Sequence, residues 1–375
     1  MATDSKDPKK KYGDKLRVAK SEFLSMNGGD GTYSYSKNSN HQMIAANTVK
    51  GKIDQEIVNN LDVKHLSSLS NTISIADLGC STGPNTFIAM QNILEAIQLK
   101  YHCQCPNSKP LDFQIFFNDR PSNDFNTLFN SIPKDCGYFV AGVPGSFYSQ
   151  LFPESSLHFV HTCHALHWLS KLPEELLNKD SPAWNKGNIY YLNAPREVYN
   201  AYASQFYEDI DDFLSVRAKE IVAGGMMVII MAGSPNGVPS HSNFSSFGTT
   251  FDLMGSSLME MAKEGLISEE LVDSFNIPIY AASPEEMIGL VERNGYFSIE
   301  RIEFVKSTLE GTVAEASVRM KHSRAGMEGM LSKHFGSETI DEIFERLGKK
   351  LIEHSELLAS RIKESGQLFL VLKRK

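Results

Sequence analysis

The residues best suited to chemistry lie at 75–85, where an apolar run typical of a strand ends in an acid and a glycine-bearing turn leads into a helix. The run reads Ile-Ala-Asp-Leu-Gly-Cys-Ser-Thr-Gly-Pro-Asn. Asp77 follows β-forming residues, while Gly79 and Gly83 allow the backbone to approach a ligand closely. Pro84 suits the first turn of a helix. The pattern is typical of the edge at which a doubly wound sheet receives a nucleotide-like cofactor.

The spacing of the glycines narrows the kind of cofactor. It is Asp-x-Gly-x-x-x-Gly, whereas nicotinamide dinucleotide sites have Gly-x-Gly-x-x-Gly. The side chains at 80–82 would crowd a backbone cradle for pyrophosphate, and a cofactor without phosphates needs no such cradle. S-adenosylmethionine is therefore the natural candidate. On this motif alone, a tight strand-to-helix turn without a ligand remains the alternative.

A second acid ends the next apolar run. Residues 112–117 are mostly apolar and lead into Asn118-Asp119. An acid at this place usually holds the ribose of a cofactor, because a carboxylate accepts hydrogen bonds from both hydroxyls of a diol. We therefore expect Asp119 beside a ribose.

Composition excludes several classes of partner. The 375 residues are 41% hydrophobic and carry a net charge of -8, which argues against nucleic acid because phosphate binding favours a basic surface. No stretch approaches the roughly 18 apolar residues of a membrane span, and residues 1–20 lack an apolar signal region. We expect no membrane association and a cytoplasmic location. The five cysteines, an odd number, favour free thiols in a reducing compartment.

Hydrophobic patterning predicts an α/β core with a mostly helical insertion between its last strands. Strands are predicted from Thr72 and at 112–117, 138–143, 157–165, 226–232, 296–304 and 368–372, and helices at 43–61 and 85–101 and in the amphipathic stretch 338–364. Ser283 and Pro284 indicate the start of one further helix, which Asn294-Gly295 ends.

Five motifs occur in order along the chain. They are Met26-Asn27-Gly28-Gly29 with Ser34-Tyr35 and Asn38-Ser39-x-x-Gln42, the run 77–85, Phe117-Asn118-Asp119 with Asn123-Asp124-Phe125-Asn126, the run 142–148, and Leu166-His167-Trp168-Leu169-Ser170. Together they closely resemble the plant SABATH methyltransferases, which use S-adenosylmethionine to methylate carboxyl groups or, in some members, ring nitrogens. The resemblance covers residues 26–373. It implies a Rossmann-like methyltransferase sheet, doubly wound, with an inserted cap.

The resemblance also implies a division of the chain. Residues 1–20 would be a flexible tail, and 21–61 an N-terminal lead that closes over the active site. The methyltransferase core would comprise 62–239 and 365–375, with a mostly helical substrate-binding cap at 240–364.

A set of cofactor contacts follows from the resemblance, position by position. Phe147 can stack on a purine, and the aromatic face of Tyr35 favours the positive charge of a sulfonium. The implied contacts are Tyr35, Ser39, Asp77, Gly79, Asn85, Asp119, Arg120, Ser146, Phe147, Thr162 and Cys163.

The resemblance assigns the carboxylate of the substrate to Gln42 and Trp168, which also count as the catalytic residues. Both are neutral donors. A carboxylic acid with an ordinary pKa near 4 is already ionised at neutral pH, so its attack on a methyl group requires no general base. Catalysis would then consist mainly of aligning oxygen, methyl carbon and sulfur. Asn27 replaces a lysine of several relatives, so we expect the enzyme to rely on these two donors.

Two histidines and a set of pocket residues complete the implied substrate site. His167 follows the Leu-His-Trp pattern of carboxyl methylation, and His164 replaces a common tyrosine, so that a structural role and a substrate contact stay open for it. The pocket wall is assigned to Ala232, Thr250, Phe251, Tyr280, Ser323 and Gly326, with Tyr35 also facing the substrate. Several of these are smaller than their counterparts in salicylate-type relatives, so we expect an acid larger or more polar than salicylate.

The resemblance further implies Mg2+ and a homodimer. The metal ligands would be Asn185, Asp273, Phe275 through its carbonyl, and Asn276, which are oxygen donors of the kind this ion prefers. We expect such an ion to stabilise the cap without taking part in chemistry.

Two other functions are alternatives. An N-methyltransferase of a xanthine-like or alkaloid heterocycle would use the same cofactor site, with His164 as a base. A cofactor-binding protein without catalysis is disfavoured because Gln42, Trp168 and Asp119 are all present.

Overall fold

Seven strands form one sheet in the order β3-β2-β1-β4-β5-β7-β6 in a computed structural model of the chain. The structure describes residues 25–68, 70–235, 246–308 and 316–375. The strands are β1 (Thr72–Leu78), β2 (Asp112–Asp119), β3 (Phe139–Pro144), β4 (Leu157–Cys163), β5 (Ile221–Ala232), β6 (Phe297–Lys306) and β7 (Gly366–Arg374). Neighbouring strands pair in parallel from β3 to β5, and β7 runs antiparallel to both β5 and β6.

Twelve helices lie in the described parts of the chain. They are α1 (Tyr35–Asn38), α2 (Asn40–Asn60), α3 (Val63–Leu66), α4 (Pro84–Gln104), α5 (Phe125–Asn130), α6 (Arg196–Glu220), α7 (Ser246–Lys263), α8 (Glu269–Asp273), α9 (Pro284–Asn294), α10 (Ala316–Phe335), α11 (Ile340–Glu353) and α12 (Ser355–Glu364). The same parts of the chain contain 3-10 turns at Glu174–Leu176 and Ser337–Thr339.

Both faces of the sheet are buried, which is why its central strands are nearly continuous apolar runs. On β5, Met226, Val228 and Ile230 pack with α2 and α4 on one face. The alternating residues Met227 and Ile229 pack with α6 and the cap helices on the other face. A strand between two helical layers defines the doubly wound α/β fold, which confirms the predicted fold class.

Glycine shapes the start of β5, where the sequence predicted a boundary. β5 begins at Ile221, five residues before the predicted start, and its pairing with β4 shifts register between Leu157 and Phe159. Gly224 has φ +79°, and a Cβ on Gly225 would lie 2.9 Å from the carbonyl oxygen of His158. The strand therefore continues across the glycines as a bulge rather than starting after them.

One strand of the sheet lies within the segment 240–364 that was predicted to form the cap. A capping box at Ser283 and Glu286, with Pro284 in the first turn and Gly295 at φ +79°, bounds α9 as expected. β6 then pairs with β7 at the edge of the sheet. The strand Phe297–Lys306 thus belongs to the sheet, although it falls inside the predicted cap 240–364, because β7 needs a second partner. The tail predicted at 1–20 lies outside the described residues.

Within the described residues, no helix combines the length and apolar character that crossing a membrane requires. All five cysteines are free thiols, as expected.

Candidate active site

A cavity of about 190 Å³ opens at the carboxyl ends of the parallel strands, between the core, the N-terminal segment and the cap. Ligands bind at this edge in doubly wound sheets, because the loops that follow the strands converge there. The structure brings most of the predicted residues to its wall. Those that line it are Tyr35, Gln42, Gly79, Asp119, Arg120, Phe147, Cys163, His164, His167, Trp168, Ala232, Thr250, Phe251, Ser323 and Gly326.

At the end of β1 the turn depends on glycine. Gly79 has φ +79°, and a Cβ at this position would lie 2.3 Å from the Cβ of Ala165. Its backbone N–H and that of Cys80 both donate to the carbonyl oxygen of Asn118, at 2.9 and 3.0 Å. Ser81 also lines the cavity, and its buried hydroxyl has no partner among the described residues. The turn thus presents close backbone and an unused hydroxyl to a ligand.

Asp119 is held by backbone groups at the tip of β2. One carboxylate oxygen accepts from the N–H of Ser81 at 2.8 Å, and the other accepts from the N–H of Arg120 at 2.7 Å. Burial raises the pKa of Asp119, and these two hydrogen bonds oppose the rise. A carboxylate has about four lone-pair sites, so acceptor capacity remains for two hydroxyl groups of a ligand.

Asp77, in contrast, does not line the cavity. Its carboxylate accepts from the hydroxyl of Thr86 and pairs with Nδ1 of His161 at 2.8 Å, and the residue is 4% exposed. These bonds join β1 to α4 and β4. The structure therefore places this predicted cofactor contact in the framework behind the turn.

Five further predicted residues also lie outside the lining of the cavity, namely Ser39, Asn85, Ser146, Thr162 and Tyr280. Asn85 donates to the carbonyl and hydroxyl oxygens of Ser39, at 3.0 and 3.1 Å, and so ties α4 to the N-terminal segment. The hydroxyl of Ser146 accepts from its own loop at Tyr148. Thr162 is buried, with a hydroxyl that lacks a partner in the described structure. Tyr280, predicted in the pocket wall, lies in the core, where its hydroxyl donates to Glu286 at 2.6 Å.

A buried ion pair, which the sequence analysis missed, binds the backbone of the loop that carries Phe147. Arg217 donates to the carbonyl oxygens of Phe147 and Ser149 at 2.7 and 3.0 Å. It also pairs with Glu220 at 2.7 Å, and both side chains are fully buried. Glu220 in turn accepts from the backbone at Leu151 and Phe152. The signal in the sequence was an arginine and a glutamate three residues apart at the end of a helix, before a buried strand.

Gln42 faces the cavity beside His322, another residue that the sequence analysis missed. Nδ1 of His322 lies 3.0 Å from the carbonyl oxygen of Asn38, so this nitrogen carries the proton and donates it. Burial lowers the pKa of His322, which keeps the ring neutral. Its Nε2 therefore accepts from the amide of Gln42, at 3.5 Å, and the second amide N–H of Gln42 stays available.

His167 and Trp168 complete the wall opposite. Nδ1 of His167 accepts from the N–H of Ala232 at 3.3 Å, and burial lowers the pKa of His167 to about 3. The ring is thus neutral, with its proton on Nε2. Tyr148 donates to the carbonyl of Trp168 at 2.7 Å and fixes its backbone. His322 and His167, on these two walls, are neutral, while the guanidinium groups of Arg120 and Arg319 line the same cavity, and Arg319 helps to lower the pKa of His322.

The residues of the predicted metal site also gather in one place, outside the lining of the cavity. Asn185 donates to Oδ1 of Asn276 at 2.7 Å, and Asp273 accepts from the N–H of Gly187 at 2.8 Å. Phe275 is buried beside them. Oδ1 of Asn185 is buried without a partner in the described structure, as is Nδ2 of Asn276. The oxygens of Asn185 and Asp273 fit a hard cation. The described residues contain no cluster of three or more His, Cys, Asp or Glu for a metal.

Comparison with known proteins agrees with this arrangement. The model of the SAM-dependent carboxyl methyltransferase family matches residues 21–375. Loganic acid O-methyltransferase of Catharanthus roseus is 43% identical over 352 residues, which cover 93% of this chain and 94% of that protein. Probable caffeine synthase 2 of Camellia sinensis is 36% identical, with coverage of 94% and 98%. A solved structure of a loganic acid methyltransferase with SAH aligns with a TM-score of 0.88 at 42% identity, and covers 93% of this chain and 98% of that one. The chain therefore belongs to the S-adenosylmethionine-dependent carboxyl methyltransferases, the family that its motifs resemble.

Proposed function

We propose that this protein forms methyl esters of a small plant carboxylic acid that is larger than salicylate, and that Gln42 and Trp168 hold the acid. Family membership supplies the reaction class. The position of the Gln42 amide supports the residue assignment. One N–H of this amide is directed to His322, and the other is available to a ligand in the cavity.

The cofactor would lie along the ends of β1 and β2. Asp119 would accept from its ribose, the backbone at Gly79 would contact it closely, and Phe147 would stack on its adenine. Tyr35 would face the positive sulfur. S-adenosylmethionine supplies an electrophilic methyl group there. The remaining predicted contacts, which lie outside the lining, would act by supporting the turn and the loop.

The substrate is an anion before it enters the site, so this chain needs to orient it rather than deprotonate it. Neutral donors suit that task, because a guanidinium fork would withdraw charge from the oxygen that attacks. Gln42 and Trp168 would direct one carboxylate oxygen to the methyl carbon. Alignment of this kind is worth effective molarities on the order of 10^5 M or more.

N-methylation of a heterocycle is the alternative, and the similarity to a probable caffeine synthase supports it. It would need a base for a ring N–H, and His164 is the candidate. Burial lowers the pKa of His164 to about 4, which makes it a weak base at neutral pH. The site therefore favours an acceptor that is already ionised.

The wall of the cavity supports a substrate of more than one small ring. Ala232, Thr250, Ser323 and Gly326 all line it with small side chains. A terpenoid, iridoid, jasmonate-like or alkaloid-precursor acid would fill the space that these residues leave. Specificity in such pockets is set by volume and by polar partners together.

A transfer assay tests the proposal. Purified protein is incubated with methyl-labelled S-adenosylmethionine and a panel of plant acids and xanthines, and the products are identified by mass spectrometry. A labelled ester that mild base cleaves supports carboxyl methylation and names the acid. A base-stable N-methyl product would replace our proposal with the alternative.

We also propose Mg2+ at Asn185, Asp273, Phe275 and Asn276, with a role in stabilising the cap. The unpartnered Oδ1 of Asn185 supports it, as does the carboxylate of Asp273, which accepts from Gly187, two residues after Asn185. A homodimer in the cytoplasm, without nucleic-acid or membrane partners, completes the proposal, and light scattering of the purified protein tests the dimer.

A further inference from the structure

One face of α10 forms part of the wall of the cavity. Arg319, His322, Ser323 and Gly326 all line it. The last three follow Arg319 by three, four and seven residues, and this spacing places all four on the same face of the helix. The side chain of Arg319 is buried, since the residue is only 7% exposed. The helix thus brings a buried guanidinium to the cavity in which the acid would bind.

Arg319 is held by a contact with α7. Its Nη1 donates to the hydroxyl of Thr250 at 3.4 Å, and Thr250 also lines the cavity. Burial lowers the pKa of Arg319 to about 10, so the side chain is a cation at neutral pH. A guanidinium has five N–H donors and no acceptor, so it can bind protein groups and a ligand at the same time. Any group that contacts it from the cavity must therefore be an acceptor.

Cations outnumber carboxylates along the lining of the cavity, as far as the structure describes it. The charged side chains there are Asp119, Arg120, Lys306 and Arg319. The charge of Asp119 acts on the neighbouring Arg120, at the tip of β2 where the cofactor would bind. Lys306 is 69% exposed, and its Nζ lies 3.9 Å from a carboxylate oxygen of Glu364. Arg319 is therefore the cation that is buried on the side of the cap.

Arg319 lies farther along α10 than the group that contacts Gln42. His322, whose Nε2 is 3.5 Å from the amide of Gln42, follows Arg319 by three residues, a rise of about 4.5 Å along the helix. The ring of His322 is directed to α2, whereas the guanidinium is directed to α7. The rings of His41 and His322 stay neutral, because burial and, to a lesser degree, the charge of Arg319 lower their pKa. The positive charge on this wall is therefore that of Arg319.

We propose that Arg319 binds a second carboxylate at the far end of the substrate, so that this enzyme selects dicarboxylic acids and methylates one of their two ends. The inference rests on the proposed function and defines its substrate class further. A carboxylate matches the planar fork of a guanidinium with two parallel hydrogen bonds, which are stronger than hydrogen bonds to a neutral hydroxyl or carbonyl. The fork would hold the far carboxylate, and the neutral donors Gln42 and Trp168 would leave the near carboxylate free to attack.

The proposal predicts a monomethyl ester as the product. The near carboxylate oxygen attacks the methyl carbon, the bond from that carbon to sulfur breaks with its electron pair left on sulfur, and no proton moves. A monoester that binds again in the opposite direction places a neutral ester group against Arg319, where the charge-assisted hydrogen bonds are lost. The monoester should therefore accumulate even when S-adenosylmethionine is in excess.

The test compares dicarboxylic acids with monocarboxylic acids of the same length. Suitable pairs are adipic and hexanoic acid, azelaic and nonanoic acid, and terephthalic and 4-methylbenzoic acid, which differ in the distance between their two ends. The measured quantity is the ratio of kcat/KM for the dicarboxylic acid, halved for its two equivalent ends, to that for its partner. For the best pair we expect a ratio of about 10 to 100 in the unaltered protein, the usual range for hydrogen bonds to a charged group. The monoamide of the best dicarboxylic acid then presents a neutral acceptor of the same size.

Four variants assign the ratio to Arg319. Arg319→Met removes the charge, so the ratio should fall to about 1, while the monocarboxylic acid keeps most of its kcat/KM because it never reaches this side chain. Arg319→Lys keeps the charge without the fork and should retain part of the ratio. Thr250→Val removes the oxygen that accepts from Arg319, and the ratio should fall in part, which keeps the test decisive if Arg319→Met does not fold. Lys333→Met, at an exposed position on the same helix, is the matched control and should keep the full ratio.

The outcomes separate the two proposals. If esters form but no dicarboxylic acid exceeds its partner, or if the monoamide reacts as well as the dicarboxylic acid, the second carboxylate is overturned. The role of Arg319 is also overturned if Arg319→Met lowers both acids of a pair equally, or if the ratio survives in every folded variant of Arg319 and Thr250. If no acid of either kind yields a labelled ester, the proposed function itself fails.

Discussion

At the residue scale, two neutral histidines in the wall of the cavity have their protons fixed by backbone partners. Asn38 determines the proton on His322, and Ala232 determines that on His167. Burial holds both rings uncharged. These two rings therefore keep the same protonation through the neutral range of pH.

The first prediction concerns Gln42. Gln42→Ala removes one donor to the carboxylate, and we expect kcat/KM for the acid to fall about 10- to 100-fold, the usual range for a hydrogen bond to a charged group. Steady-state assays with the best acid measure it. Gln98→Ala, an exposed glutamine on α4, is the matched control. Equal activity of the two variants would exclude Gln42 from the substrate site.

Sequence reasoning reached these residues unevenly, for a physical reason. Gln42 and Trp168 both line the cavity, because their motifs fix local structure around them, and their contact with a substrate stays a prediction. The motif shows the position of Asp77 but not its partners, Thr86 and His161, which bind its carboxylate outside the lining of the cavity. Tyr280 was placed in the wall for the same reason: a residue number does not say on which side of a wall a side chain lies.

At the scale of elements, the loop 147–152 is held from below by the end of α6. Arg217 and Glu220 together bind four backbone groups of this loop. Burying both charges is tolerable because the two side chains pair with each other and each also binds backbone groups of the loop. The position of Phe147 in the cavity therefore depends on α6, a helix that contributes no residue to the lining of the cavity.

Arg217→Met tests this dependence. It leaves Glu220 as a buried charge without its cation, and we expect the free energy of unfolding to drop by about 3–5 kcal/mol, with a raised KM for S-adenosylmethionine. Urea denaturation and steady-state kinetics measure the two effects. Combining it with Glu220→Leu should cost less than the two single changes added together. The exposed neighbour Lys219→Met is the control, within about 0.5 kcal/mol of the parent.

The short helix α8 carries the next prediction. If Asp273 binds Mg2+, added MgCl2 raises the Tm of the protein, since a ligand that binds only the folded state stabilises it. Asp273→Asn should remove most of that rise, as followed by differential scanning calorimetry. Glu269→Gln, an exposed acid on the same helix, should keep it. The same rise in all three proteins would place the ion elsewhere.

At the scale of the whole molecule, buried histidines couple the fold to pH. Burial lowers the pKa of His164 to about 4 and that of His167 to about 3, from an ordinary 6.5. Between pH 6.5 and pH 4, these two histidines are therefore protonated in the unfolded chain and neutral in the folded chain. Stability rises with pH in this window and is lost as the pH falls.

We expect the free energy of unfolding to be lower at pH 5 than at pH 7, by up to about 2 kcal/mol for each of these two histidines. Urea denaturation at both values measures the difference. His167→Phe should reduce the loss, whereas His102→Phe, at an exposed position, should not. A loss that is the same in all three proteins would place the titrating groups elsewhere.

The sheet was the most predictable part of the molecule, because apolar runs buried on both faces leave a strong signal. β1 begins at Thr72 as predicted, and β2 extends two residues beyond the predicted end. β6 was recognised as a strand, but its place in the sheet was not, because pairing with β7 is a long-range event that local patterning does not encode. The helix expected over 338–364 breaks near His354 into α11 and α12.

The insertion of β7 between β5 and β6 has a consequence for biosynthesis. The ribosome synthesises β7 after the six other strands. During translation, β5 and β6 therefore lack the strand that pairs with both of them. β7 also carries Gln367, which completes the wall beside His164. A nascent chain whose β7 has not yet emerged from the ribosome therefore has neither a complete sheet nor a complete pocket. Premature termination upstream of residue 366 should leave a product that chaperones retain and proteases remove.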